Sequence, residues 1–164
     1  MKTNLRIALV ACGLLGAASP LWAATATTTF AIGGTVVGLC SVSATALSFG
    51  TTIPDVVAAN IDATTSINAT CANTLPYTIA LNAGGGTGAT FAVRKMTSGA
   101  NTMNYSLYTD SGHSNVWGDG TAGSVTSAGT GTGAAQTITV YGRIPPQTVT
   151  PGVYNDTITV TITY

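Results

Sequence analysis

The stretch NDTITVTITY, Asn155 to Tyr164, decides how this 164-residue chain is read. Ile158, Val160, Ile162 and Tyr164 fall on one face of it, and Thr157, Thr159, Thr161 and Thr163 on the other. Strict alternation of this kind is the pattern of a β-strand with one face in a core. Natural proteins blunt exposed apolar edges with charge, proline or a bulge. None of these occurs between Thr157 and Tyr164, and no turn or further strand follows to cover the edge. The expectation is that a segment from elsewhere pairs with it.

A candidate for that segment stands near the other end, in ATATTTFAIGGTVVGLC, Ala24 to Cys40. Phe30, Ile32, Gly34 and Val36 alternate with Ala31, Gly33, Thr35 and Val37, without charge or proline. Ten residues of such an arm span roughly 33 Å, the reach of the closing strand. An arm from one copy lying along the open edge of the next makes a head-to-tail contact that does not close, and so a filament. The alternative is that the arm is the domain's own first strand, paired internally. The stretch is long enough for an arm plus the start of a first strand, with Gly33-Gly34 as a hinge or Gly34 at a narrow place in the groove.

Before the arm, residues 1–23 have the plan of a secretory signal peptide. Lys2 and Arg6 form a basic start, Ile7 to Ala18 is apolar, and Ser19-Pro20-Leu21-Trp22-Ala23-Ala24 breaks the run with small residues. Cleavage after Ala23 is preferred, with Ala24 and Ala26 as alternatives. Leu9-Val10-Ala11-Cys12 resembles a lipoprotein cleavage box, but its apolar run is short and continues past Cys12 to a better exit. No other segment has the length of a membrane span. With the leader gone, Cys40 and Cys71 remain; in an oxidising compartment a disulfide is the better reading, against two buried thiols. A metal site would lack a fourth ligand.

Charged residues make up 6% of the chain and glutamate is absent. The part after the leader carries Arg94, Lys95 and Arg143 against five aspartates, a balance of −2. No basic patch is available to neutralise phosphates, so nucleic acid is not an expected partner. A surface so poor in charge is poorly protected against association.

The pattern predicts strands near 28–42, 46–49, 65–71, 77–82, 90–96, 103–108, 136–143 and 156–164, with no helical period, and hence a β-sandwich in one domain. The Gly/Ser/Thr tract 118–133 reads as a mobile surface loop. Catalytic chemistry finds little material. His113, the one histidine, sits in the turn Asp110-Ser111-Gly112-His113, with no G-x-S-x-G beside it, so an exposed turn histidine is the better reading than a Ser–His–Asp site. The five aspartates are scattered, with Asp62 and Asp156 placed to end or start strands. Gly84–Gly88 lacks the lysine of a phosphate loop and reads as a flexible hairpin connection. Trp117-Gly118 could stack a sugar, but packing is the plainer role. The chain is expected to be no enzyme and to need no cofactor.

The ordered set of motifs resembles the spore coat protein U domain family, which includes subunits of archaic chaperone–usher pili. It comprises Cys40 with Leu47-Ser48-Phe49-Gly50, Cys71 with Tyr77-Thr78-Ile79-Ala80-Leu81, and Arg94-Lys95-Met96. Leu107-Tyr108-Thr109-Asp110, Trp117-Gly118, Tyr141-Gly142-Arg143-Ile144-Pro145 and Pro151-Gly152-Val153-Tyr154-Asn155-Asp156 complete it. The resemblance implies an incomplete immunoglobulin-like β-sandwich that lacks its final strand and is completed by donor-strand exchange. A periplasmic chaperone would fill the groove first; at an outer-membrane usher, the arm of a neighbouring copy or another pilus subunit would replace it. Carried over, Phe30, Ile32, Gly34 and Val36 would be donor residues, and Ile158, Val160, Ile162 and Tyr164 would line the acceptor groove and meet the chaperone. A shaft subunit of a surface fimbria of a Gram-negative bacterium, supporting adhesion and biofilm, is the implied function. The alternative is a coat or envelope protein of the same fold that makes no thread, and a distant third is a carbohydrate-binding module around Trp117.

Overall fold

The computed structural model describes residues 24–164; residues 1–23, read above as a leader and including Cys12, lie outside them. The chain divides between Thr35 and Val36. Residues 24–35 contain no strand, and in the second unit the first strand begins only at Cys40.

Ten strands follow: β1 Cys40–Ala44, β2 Val56–Val57, β3 Ile61–Cys71, β4 Pro76–Leu81, β5 Arg94–Ser98, β6 Asn101–Tyr108, β7 Ser127–Thr130, β8 Ala135–Ile144, β9 Gln147–Thr148 and β10 Val160–Thr163. They form a five-stranded sheet in the order β1-β3-β8-β6-β5 and a three-stranded sheet in the order β10-β4-β7, with β2 and β9 as a small separate pair. Every strand pair is antiparallel. The core between the sheets holds Ile67, Ala69, Tyr77, Ile79, Leu81, Tyr105, Leu107, Trp117, Val140 and Ile144, each at most 5% exposed. In β3, β4 and β8 these positions alternate with more exposed neighbours, as a face-to-face sandwich requires.

Several expectations need correction. The strand expected over 28–42 shrinks to Cys40–Ala44, and the one expected over 156–164 to Val160–Thr163. Ala46–Phe49 forms no strand; instead Leu47 and Phe49 pack against the core. They fit there because β8 has a glycine beneath them: a Cβ on Gly142 would lie 2.6 Å from Leu47 Cδ2 and 2.9 Å from Phe49 Cζ. The tract 118–133 contains β7, paired with β4. Three of its glycines, Gly118, Gly129 and Gly131, serve close approach: a Cβ on Gly129 would sit 2.5 Å from the Tyr77 ring. The low-complexity composition there reflects packing space at these glycines and turn geometry at Gly120, Gly123 and Gly133, which have positive φ, and a sequence cannot separate either from flexibility.

Candidate functional site: an open groove between two sheet edges

β1 and β10 are both end strands: β1 pairs with β3 alone and β10 with β4 alone. The two strands approach one another, and beside them, between the segments that follow β1 and precede β10, the sandwich is open. A depression of about 450 Å³ is walled on one side by Ala44–Leu47 and Phe49 and on the other by Tyr154–Ile158 and Val160. Its floor is core: Ile67, Leu81, Tyr105, Leu107 and Val140. A second depression of about 570 Å³ continues it between Leu47–Ile53 and Val149–Asn155, sharing Leu47, Phe49, Met96, Tyr154 and Asn155 with the first. The result is an elongated groove with an apolar floor, walled mostly by the segments that follow β1 and precede β10, a shape that suits an extended segment offering alternate side chains downward.

The residues singled out in the sequence fall as follows. Ile158, Val160 and Ile162 are partly buried and pack on the core; Thr159, Thr161 and Thr163 face out, and Thr157, though exposed, lies at the groove's wall. Ile158 and Val160 line the first depression. Tyr164 lies one residue beyond β10 and is 54% exposed. In the other unit and its junction, Phe30, Ile32 and Val36 are 82%, 85% and 98% exposed, and Gly34 has nothing within 4 Å of where a Cβ would be. Cys40 and Cys71 are disulfide-bonded across the β1–β3 pair, where they are register partners. The bond ties one wall of the groove to the neighbouring strand.

Polar residues not expected from the sequence to take part in the site hold the other wall. The Asp156 carboxylate accepts bonds from Tyr105 Oη at 2.7 Å and from Gly85 N at 2.8 Å. Burial, and then this bond, push the Tyr105 hydroxyl well above the ordinary tyrosine range. Arg94 is fully buried, and its guanidinium donates to the carbonyls of Asn82, Phe91 and Trp117, with distances from 2.6 to 3.1 Å. Burial lowers its pKa without removing its charge at neutral pH. A buried cation held by carbonyls fixes three loops at once, but nothing in a single sequence tells such an arginine from an exposed one.

The remaining candidates are structural. Trp117 is 0% exposed and its indole donates to Ile79 O at 3.0 Å, so it offers no sugar platform. His113 does lie in the expected turn, yet its side chain is only 8% exposed, against the expectation of an exposed histidine. At φ 56° the backbone turns the ring edge-on to Tyr108, 5.1 Å between centroids. Asp62, 3.7 Å away, is engaged in two short bonds with Arg143, its register partner across β3 and β8.

An all-β sandwich with one strand position open between its sheets defines the class of protein. The Spore Coat Protein U domain model matches residues 26–161, and the chain belongs to that family. It is 36% identical to "Protein U" of Myxococcus xanthus over 96% of this chain and 95% of that one. Its fold is similar to a chain in the solved chaperone–tip adhesion subunit complex, CsuC–CsuE, of the archaic chaperone–usher Csu pili of Acinetobacter baumannii. That likeness has a TM-score of 0.56 and 24% identity over 79% of this chain, and it spans 40% of the solved one. The match supports the immunoglobulin-like, incomplete character of the sandwich.

Proposed function

We propose that this chain is a structural subunit of a surface pilus, joined to its neighbours by strand exchange. One observation carries the reading: a groove floored by core side chains opens beside β1 and β10, each paired with a strand on one side only. The arm supplies what the groove lacks. Phe30, Ile32, Gly34 and Val36 alternate in a strand-like pattern while forming no strand of their own, and a neighbouring copy or another subunit would receive them against Ile158, Val160 and Ile162, with Tyr164 at the mouth. Backbone bonds along the two edges would give affinity and the apolar floor would give register.

Residues 1–23 would direct export and be removed. In the periplasm of a Gram-negative bacterium a chaperone would cover the groove, and an outer-membrane usher would be the place where the arm replaces it. The assembled thread at the cell surface would support adhesion and biofilm. Family and fold are those of structural proteins, and the reading includes no enzyme activity and no cofactor.

A second reading is favoured by the family description and by the likeness to Protein U: a coat or envelope protein of the same fold that makes no thread. Electron microscopy of cells with and without this chain separates them. Surface threads that vanish on deletion and return on complementation are expected; a uniform layer, or no change in surface threads, favours the coat.

A further inference from the structure

The segment 155–159 forms part of the groove wall, yet it crosses between sheets. At Asn155 the chain exchanges two backbone bonds with Thr97 of β5, 2.9 and 3.0 Å. By Thr159 it has joined the other sheet, where Thr159 N donates to Asn82 Oδ1 at 2.9 Å and Asn82 N to Thr159 O at 3.1 Å. Between these points lie Asp156, Thr157 and Ile158, all lining the groove. Asp156 grips the core from inside the crossing. Its Oδ2 takes the Tyr105 hydroxyl, and its Oδ1 takes Gly85 N and Thr157 N, both at 2.8 Å. The approach is so close that a Cβ on Gly84 would meet the carboxylate at 2.1 Å, and Gly84 has φ +86°, so a side chain there is excluded twice over.

The geometry points to Asp156 as the positioning residue of the strand-accepting groove. Its carboxylate, seated on Gly85 and Tyr105, fixes where the closing segment changes sheets and thereby the depth at which Ile158 and Val160 meet an incoming strand. An accepting edge has to be held without spending the backbone groups that face its guest, and a side chain bonded to the core does that. Asn82 completes the device: its carbonyl is clamped by Arg94, and its amide and side chain take Thr159. The inference rests on the groove being a strand acceptor and names the side chain that prepares it.

The test refolds the chain 24–164 and three variants in the presence of increasing labelled peptide of residues 24–39 and measures the peptide bound, each product checked for an intact disulfide and native circular dichroism. Asp156→Ala is expected to weaken peptide binding about tenfold or more, from the loss of the bonds that seat the carboxylate on Tyr105 and Gly85. Asp156→Asn keeps an oxygen for Gly85 and Thr157 and an amide that can donate to Tyr105, so it is expected to bind within about twofold of the parent. Tyr105→Phe, which keeps the ring, is expected to lose about threefold to tenfold and serves if the alanine variant does not fold. The Asn rescue is the readout that general destabilisation would not produce. Parent-like binding by a folded Asp156→Ala or by Tyr105→Phe overturns the assignment while leaving the groove intact. Absence of binding by the parent chain sinks the acceptor reading itself, and this proposal with it.

Discussion

Arg94 shows how much one side chain can do when its partners are backbone carbonyls. Its four bonds join the β4 end, the loop before β5 and Trp117. Lysine keeps the charge but cannot span these acceptors with one ammonium. Arg94→Lys should therefore cost about 2–4 kcal/mol, since buried carbonyls lose their donors. Urea unfolding of the peptide-filled chain 24–164 reads this directly through Trp117, its one tryptophan. The Asp62–Arg143 pair is a weaker, exposed case with a pH signature. The Arg143 bond first, and then the charges of His113 and Arg143, hold the Asp62 carboxyl below the usual carboxylate range. A depressed folded pKa contributes stability that is present above the unfolded value, near 3.9, and is lost as pH falls through the folded one. The difference in Tm between the parent and Arg143→Gln should be steady at neutral pH and vanish in acid below that range; a constant difference down to the lowest pH would refute the pairing. Neither Arg94 nor Asp156 was legible as a keystone in the sequence, because burial of a charge is decided by the loops that close over it.

Among the elements, β10 carries the most function in the fewest residues. Its inward face packs on the core through Val160 and Ile162 while Thr161 and Thr163 stand outside. Val160→Asp places a charge in the groove and should abolish filament assembly; Thr161→Asp, one residue away on the other face, should leave it intact. Electron microscopy of the two variants checks the face assignment, and equal behaviour would refute it. Period two made this alternation readable without coordinates. The length of the strand was not readable, because the chain leaves the β5 edge at Asn155 and reaches β4 only by Thr159. A crossing between sheets keeps the alternation while breaking the ladder. The arm poses the opposite case: Phe30 to Val36 alternate as a strand does, yet form none, since pattern records which face would be buried and not whether a partner is present. Ala46–Phe49 was misread as a strand because its packing depends on the glycine at 142 in a distant part of the sequence.

For the whole molecule, an open apolar groove implies dependence on a guest. Expression of the chain alone in the periplasm should yield little soluble monomer, and co-expression with a cognate chaperone should restore it; abundant, stable monomer with native strand content would contradict the open sandwich. The disulfide is the other global constraint. A Cys40→Ala/Cys71→Ala variant should lose about 3–4 kcal/mol by the chain-entropy account, measured as a lower urea midpoint for the peptide-filled form. The sandwich class and the paired cysteines were open to the sequence, because exported chains, strand periodicity and turn residues each leave local marks. The same bond has a mechanical consequence for a thread under load. Tension entering through a subunit's arm would arrive at Cys40 and, once the subunit opens, pass straight to Cys71, 31 positions on, so the intervening segment is not drawn out. A subunit pulled open end to end would pay out roughly 100 Å less than its residue count allows, and reducing agent should restore that missing length as longer steps in a force–extension trace.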